Sequence, residues 1–557
     1  MCGIFFSLSS SGGASPTQET CELLQKRGPD SHTTHTVQKD IKAQDGASSA
    51  YHLTFMSTVL SLRGDHVYKQ PLVDSETQSV LCWNGEAWKI QGERVQGNDT
   101  ERVFNLFLQA VKHDAVEGIA EAISCISGPF AFVFYDAVNA RLYYSRDCLG
   151  RRSLLQGVDH NGNLKICSIC DSASADCFQE VGTDGIYTID LDHTLTSRPC
   201  QSKTIPWGSG RLKQPIPPMN KSVPDDPPAL TTDSAFVLEL QSRLRQSLEL
   251  RIQNIPEPPN YTPGQSAKTA VLFSGGLDCT LLARLSHEIL PPNEPIDLLN
   301  VAFENPRVAA AAKLNQKTPS NLSIYENCPD RITGRSAHAE LQKTCPGRTW
   351  RFVAIDIPYT ECLSHRDQVK RLMRPHNTEM DMSIACALYF ASRAHGSATT
   401  DPLIHSGSPY TSSSRVLLSG LGADELFAGY GRHGVAFTRG GFDALIAEIE
   451  LDVSRLGSRN LGRDDRVLSH WGRETRFPFL DEEFVAWVVS APVWEKCGFG
   501  LPGEDTLGID SEKLALRLVA LRLGMESVAR EKKRAIQFGA RTAKMETGRS
   551  KGTDALT

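Results

Sequence analysis

Cys2 directly follows Met1 in the run Met1-Cys2-Gly3-Ile4-Phe5-Phe6, so removal of one residue leaves a thiol and a free α-amine on the same residue. An α-amine titrates near ~8, close enough to neutral pH to take a proton from a thiol and return it to a leaving group. Nucleophile and base are then covalently tethered, an arrangement suited to acyl transfer. Short segments nearby offer the remaining parts. Arg63 ends the apolar run Val59-Leu60-Ser61-Leu62, where a strand can hold a guanidinium for bidentate recognition of a carboxylate or leave it as a surface cation. Trp83-Asn84-Gly85-Glu86 follows Val80-Leu81-Cys82. Asn-Gly after a strand is usually a hairpin turn, yet an Asn amide and a Gly N–H also make a donor pair for a developing oxyanion. Asp99 opens the periodic stretch Val103, Phe104, Phe107, Leu108, Val111, either as a helix-capping acid or as the partner of a substrate ammonium. Arg27-Gly28-Pro29-Asp30, taken alone, is turn chemistry.

A second chemistry lies far downstream. The apolar run Thr269 to Phe273 leads into Ser274-Gly275-Gly276-Leu277-Asp278 and then a helical pattern from Cys279 to Leu290. Strand, glycine turn and helix N-terminus together make an anion site, because backbone N–H groups approach a phosphate where no side chain intervenes. The chain has no Gly-x-x-x-x-Gly-Lys-Ser/Thr run here, which disfavours a Walker-type nucleotide site. Ser419-Gly420-Leu421-Gly422-Ala423-Asp424-Glu425 repeats the strand-to-glycine-loop pattern after Val416-Leu417-Leu418. Two such loops belong on one sheet edge, where α/β folds bind ligands; the plainer reading makes Asp424 and Glu425 first-turn helix acids.

The elements that must position these residues divide the chain. Residues about 202 to 232 carry Pro206, Pro215, Pro217, Pro218, Pro224, Pro227 and Pro228 and read as a connector before the helical Phe236 to Leu250. Residues after about 541 read as a fraying polar tail, and 398 to 414 as a flexible insertion. The expected division is 1–200, a linker 201–233, a second domain 234–540 and a tail 541–557, as 557 residues permit. A net charge of −6, from 59 basic and 65 acidic side chains, gives no nucleic-acid footprint. The absence of an apolar run of about 18 residues excludes a spanning helix. Fifteen cysteines without framework spacing suit a reducing compartment, and a presequence would bury the Cys2 amine in a peptide bond, so the expected location is cytoplasmic. Cys167-Ser168-Ile169-Cys170 has no second pair to complete a zinc site, and His52, His376 and His395 have no partner pattern.

The order Met-Cys-Gly-Ile, Arg-Gly-Pro-Asp, Leu-Arg-Gly, Asn-Gly-Glu, Asn-Asp-Thr-Glu, then Gly128 to Phe132 and Arg146 to Arg151, resembles a class II glutamine amidotransferase domain. The Ser274 to Asp278 run resembles the pyrophosphate loop of N-type ATP pyrophosphatases. The two in series resemble the asparagine synthetase family, and the match extends through Arg473 to Asp481. Within that family, Pro329 to Gly334, Arg374 to Ser383 and Lys533 to Gly539 resemble the asparagine synthetase domain-containing group. The resemblance implies an α+β Ntn-hydrolase sandwich followed by an α/β domain of the adenine nucleotide alpha hydrolase type. It implies Cys2 as nucleophile, Asn84 and Gly85 as the oxyanion hole, and Arg63, Glu86 and Asp99 around the glutamine backbone. ATP contacts are implied for Leu272, Ser274, Gly275, Gly276, Asp278, Val301, Ser419, Gly420, Asp424 and, in preference to Lys532, Lys533. Mg²⁺, which favours oxygen ligands and keeps most of its waters, would use Asp278 and Asp424. The implied substrates are glutamine, ATP and a carboxylate acceptor, aspartate by default, with a path for ammonia between the domains and a homodimer as the candidate assembly.

Two departures stand out. Asparagine synthetases read Ser-Gly-Glu-Gly-Ser-Asp-Glu where this chain has Leu421 in the third place, and an alkyl group takes no proton. They read Thr-Thr-Ile-Arg-Ala-Ser-Thr where this chain runs Thr378 to Ile384, with Asp381 replacing the cation. Glu379 and Glu425 are the candidate substitute acids. The competing readings are a pseudo-enzyme or interaction protein that keeps nucleotide binding, and a sulfur-transfer or lactam-forming relative.

Overall fold

The computed structural model describes residues 2–556 apart from 11, 43–47, 113–114, 172–176, 195–201, 224, 315–322, 502–507 and 546–550; Pro224 of the expected connector therefore lies outside the described residues. It divides into two compact units.

The first unit holds residues 1–215 together with 371–376 and 456–473. Beside a small three-stranded sheet of Glu93–Arg94, Lys89–Ile90 and Ile126–Ser127, two six-stranded antiparallel sheets form its core. One runs, in spatial order, Gln179–Glu180, Leu155–Val158, Leu164–Cys167, Gly3–Ser9, Ser48–Val59, Ser31–Lys42; the other Lys203–Pro206, Gly185–Asp190, Arg141–Arg146, Phe130–Asp136, Val80–Gly85, Leu72–Val73. Side chains two apart along each strand share a face, and Ile4, Phe6 and Phe55 from the first sheet meet Val80, Cys82, Val133 and Leu142 from the second in one core. The alternate residues Leu81, Trp83, Phe132 and Phe134 pack on Val103, Phe107, Ile119 and Ile123 of the helices Thr100–Ala110 and Ala115–Ser124. Phe130–Asp136 is buried along its whole length because both of its faces are covered. Lys203–Pro206, read from sequence as the start of the connector, instead pairs with Gly185–Asp190; backbone hydrogen bonding, which leaves no side-chain signature, extends the sheet.

The second unit holds 216–370, 377–455 and 474–557. Its seven-stranded sheet runs Ser408–Thr411, His395–Thr399, Trp350–Ile357, Ile296–Phe303, Thr269–Leu272, Val416–Leu418, Glu474–Arg476. The last five are mutually parallel and the first two antiparallel. Ile296–Phe303 is buried at every position, as a strand covered on both faces should be. Strand order reverses between Thr269–Leu272 and Val416–Leu418, and both glycine loops leave the sheet at that switch point. Residues 398–414 do not form the expected flexible insertion: two of the strands, His395–Thr399 and Ser408–Thr411, use them as a hairpin on the sheet edge. Nor does the described end of the tail fray: Glu379 and Met380 N–H groups donate to Asp554 and Gly552 carbonyls, and Leu556 N–H to Asn377. No helix among the described residues is long and apolar enough to cross a membrane.

Candidate active sites

Cys2 stands at the start of the Gly3–Ser9 strand. Its backbone N–H donates to Asn84 Oδ1 at 3.1 Å, and its carbonyl accepts from Arg27 Nε at 3.3 Å. Asn84 and Gly85 end their strand opposite Ala131 and Phe130, so Asn84-Gly85 is not a hairpin turn. Asn84 is fully buried, and its Nδ2 has no hydrogen-bond partner. A buried amide donor left unpaired costs about 1–3 kcal/mol, a cost a transient oxyanion would offset. At Gly85 a Cβ would lie 2.7 Å from the Pro129 carbonyl oxygen, so the strand end has room for glycine alone.

Asp99 precedes the Thr100–Ala110 helix but makes no capping bond; Asn98 Oδ1 accepts the Thr100 N–H instead. The Asp99 carboxylate accepts from Trp83 Nε1 at 3.1 Å and from the Ala87 N–H at 2.8 Å. Burial pushes it above the ordinary carboxylate range, opposed by nearby Arg63 and those two bonds. Arg63 donates to the carbonyls of Gly97, Ala87 and Val95 and lies over the Trp88 ring. Glu86 is buried 3.8 Å from Arg152. Sequence reasoning missed Arg152 and treated Arg27 as part of a turn; Arg27 is fully buried, bonded to Asp465 at 2.8 Å and Ser469 at 2.6 Å. In the CxxC, burial pushes Cys167 up to about 12 and Cys170 to about 11, as inert structural thiols. Among the described residues no group of three His, Cys, Asp or Glu side chains could hold a metal.

In the second unit Gly276 caps the Leu277–Ile289 helix, and Gly275 has φ +80° with a Cβ that would strike the Thr333-Gly334 backbone. Thr333 Oγ1 donates to the Ser274 carbonyl at 2.7 Å, so the Pro329 to Gly334 segment seats the loop. Ser274, Gly276 and Asp278 line one cavity with Asp330, Asp424, Lys513, Arg517 and Lys532 to Arg534. Leu272, Val301 and Ser419 are not in that lining. Leu272 ends its strand opposite Leu299, Val301 pairs with Ile355, and Ser419 N–H donates to the Arg476 carbonyl. Gly420 is packed so that a Cβ would lie 2.7 Å from that of Asp278.

Lys513 is the residue the sequence did not announce. Its buried ammonium is 2.6 Å from Asp278 and 2.7 Å from Asp424, while Lys533 reaches Asp424 at 2.9 Å. It sits at φ 57°, a left-handed backbone uncommon for lysine and the kind of strain that clusters at functional sites. Burial would raise Asp424, but Lys513 and Lys533 outweigh it and hold the carboxyl down to about 2. Burial pushes Asp330 up to about 7, with Arg534 opposing and Glu531 reinforcing it. Asp278 Oδ1 is buried without a hydrogen-bond partner. An oxygen left open beside a second carboxylate fits a magnesium ion that takes its other ligands from phosphate and water.

Asp381 acts locally, since its carboxylate accepts from Thr378 Oγ1 at 2.6 Å while Thr378 Oγ1 accepts the Asp381 N–H, closing the N-terminus of the Glu379–Arg393 helix. Glu425 is buried and accepts from Tyr430 OH at 2.6 Å, and burial raises it. Glu379 lines a separate cavity with Met380, Met382 and Phe538. Leu421 is half-buried and lines neither cavity.

The glutamine amidotransferase domain family matches residues 1–197, and the asparagine synthase family matches residues 440–551. A Bos taurus protein, "Asparagine synthetase domain-containing protein 1", is 34% identical over 641 residues, covering 99% of this chain and 97% of its own. A Saccharomyces cerevisiae asparagine synthetase domain-containing protein is 34% identical over 518 residues, covering 92% and 88%. The glutamine-hydrolyzing asparagine synthetase of Gallus gallus is 22% identical over 514 residues, covering 88% and 77%.

Proposed function

Because the chain belongs to the family of asparagine synthetase domain-containing proteins, we propose that it is a glutamine-dependent, ATP-driven amide-forming ligase. The observation that carries this reading is the Asn84 amide, which holds the Cys2 N–H through its oxygen while its own N–H₂ stays buried and unpaired. Once Met1 is removed, the Cys2 amine takes the thiol proton as Sγ attacks the side-chain carbonyl of glutamine. Asn84 Nδ2 and the Gly85 N–H receive the oxyanion, the amine returns its proton to departing ammonia, and water releases glutamate from the thioester. Asp99 offers its carboxylate to the substrate ammonium, with Arg63 and Glu86 completing the glutamine pocket.

At the second site, the Gly276 helix end, Lys513, Arg517 and Lys533 give an ATP triphosphate its counter-charge. A carboxylate attacks the α-phosphorus, pyrophosphate leaves, and ammonia displaces AMP from the acyl adenylate. Asp278 and Asp424 would hold Mg²⁺, which supplies charge neutralisation at the departing pyrophosphate. Aspartate is the default acceptor. A second reading, nucleotide binding without aspartate amidation, is favoured by Leu421, which puts an alkyl chain where synthetases have an acid.

The test is incubation with ATP, magnesium, glutamine and pooled amino acids, with glutamate, AMP and pyrophosphate measured together. Cys2→Ala should abolish glutamate release, a loss of up to about 10⁶-fold for a missing nucleophile, while ammonia-supported AMP formation survives. ADP as the main product, or undiminished glutamate release by Cys2→Ala, would overturn the reading. Glutamate without AMP would select the second one.

A further inference from the structure

The helix Leu461–Leu468 belongs to the first unit although it lies some 250 residues beyond Pro215 in sequence. All eight of its residues are buried, including Arg463, Asp464, Asp465 and Arg466. Asp465 is at its centre with no solvent exposure. Its Oδ2 accepts from Arg27 at 2.8 Å and from the Ser153 N–H at 3.1 Å, and its Oδ1 lies 3.7 Å from Arg152. Both guanidiniums are themselves fully buried and each leads to the thiol site. Arg27 bonds the Cys2 carbonyl and Arg152 faces Glu86. Ser469, one turn on, holds Arg27 a second time at 2.6 Å.

We infer that Asp465 is a positioning residue of the thiol site, fixing Cys2 through Arg27 and Glu86 through Arg152. The inference rests on the glutaminase reading for its kinetic consequences but not for its geometry. Two buried guanidiniums aimed at the nucleophile and at a substrate-facing acid need a fixed counter-charge between them; Asp465 supplies it. Its two branches predict separate effects: the Arg27 branch acts on the nucleophile and on turnover, the Arg152 branch on glutamine affinity. The charge has a further consequence. Removing a carboxylate while both guanidiniums stay adds net positive charge beside Cys2, which favours the thiolate and disfavours the ammonium, so Cys2 should titrate at lower pH.

The experiment uses the full chain carrying Asp465→Asn, with Asp171→Asn as a control for loss of a buried carboxylate elsewhere in the unit. The Asp171 carboxylate pairs with Lys165 at 2.6 Å and accepts from Thr17 and Thr20 hydroxyls rather than from Arg27 or Arg152. Iodoacetamide labelling of Cys2 is followed by peptide mass spectrometry across pH, and kcat and KM for glutamine hydrolysis are measured separately. Asp465→Asn should move the labelling midpoint down by about one pH unit, the order expected of one buried charge acting through an effective dielectric of about 20. It should also lower kcat and raise KM; Asp171→Asn should move none of these. Should Asp465→Asn fail to fold, Ser469→Ala removes one bond to Arg27 without unburying a charge, and it should lower kcat a few-fold at unchanged KM. A labelling midpoint and kcat unmoved in the variants that fold would overturn the assignment. A shifted midpoint in a chain that hydrolyses no glutamine would uphold Asp465 and sink the glutaminase reading instead.

Discussion

The surroundings of Cys2 and the cavity around Asp278 and Asp424 manage charge in opposite ways. Around Cys2 the buried charges are opposed, Arg27 to Asp465 and Arg152 to Glu86, and a neutral donor, Asn84 Nδ2, stands buried without a hydrogen-bond partner. In the cavity Lys513 bridges Asp278 and Asp424, Lys533 crowds the same Asp424 oxygen, and Lys532, Arg517 and Arg534 also line the space, five cations against the four acids Asp278, Asp330, Asp424 and Glu531. The first arrangement suits a charge that exists only in a tetrahedral intermediate, where a preset neutral dipole costs least. The second suits a ligand that arrives anionic and displaces internal ion pairs as it binds.

The largest effect expected from this contrast is at Lys513. Lys513→Met leaves two largely buried carboxylates without the cation they share, and breaking such an arrangement costs about 3–5 kcal/mol. Thermal unfolding should show that loss, and millimolar Mg²⁺ should restore part of it in the variant while leaving the wild type nearly unmoved. Failure of Mg²⁺ to help the variant would mean that Asp278 and Asp424 do not form a cation site.

A smaller effect on the folded state, but a sharp one on turnover, is expected at Asn84. Asn84→Ala removes the unpaired donor and should lower glutamine hydrolysis about 10²–10³-fold. Because no charge is stranded, its unfolding temperature should fall far less than that of Lys513→Met. If the two variants lose stability equally, Asn84 is a structural residue and the contrast between the sites fails.

What was readable from the chain follows the same division. Ser274 to Asp278 announces itself because strand, turn and helix signals are local, and the Leu277–Ile289 helix begins close to where periodicity places it. That Cys2 and Asn84 belong together was readable from residue type and order, and the two meet at 3.1 Å. The charges that orient them were not: Arg27 and Asp465 meet across 438 residues, and a buried ion pair leaves no periodicity on either side. Lys513 stands at the boundary of an ordinary helix, with nothing nearby to mark it. Asp99 was legible as a helix boundary but not as a side chain turned back to Trp83 and Ala87, since capping position and side-chain direction are separate facts. The edge hairpin at 395–411 was missed because its Ser/Thr-rich composition reads as loop, while its pairing is made by backbone.

The mildest effect, and the one that tests the cavity's electrostatics most directly, concerns Asp330. This carboxyl lines the cavity with Asp278 and Asp424, 3.9 Å from Arg534, and burial raises it to about 7, so it is largely neutral below that pH. In the unfolded chain it would titrate near ~3.9. Between those values the folded state binds the extra proton, so stability falls as pH rises from about 4 to about 7 and the deficit then stays constant. Asp330→Asn should therefore unfold at a higher temperature than the wild type at pH 8, and the two should converge near pH 4. The same ionisation acts on the ligand: a neutral Asp330 tolerates phosphate, an ionised one repels it. ATP affinity, measured calorimetrically, should weaken a few-fold as pH rises through about 7 in the wild type and hold nearly level in Asp330→Asn, with the titration of ATP itself common to both. Parallel pH profiles for the two proteins would show that Asp330 does not face the bound phosphates, and the polyphosphate would then have to lie against the Asp424 side of the cavity, over Lys513 and Lys533.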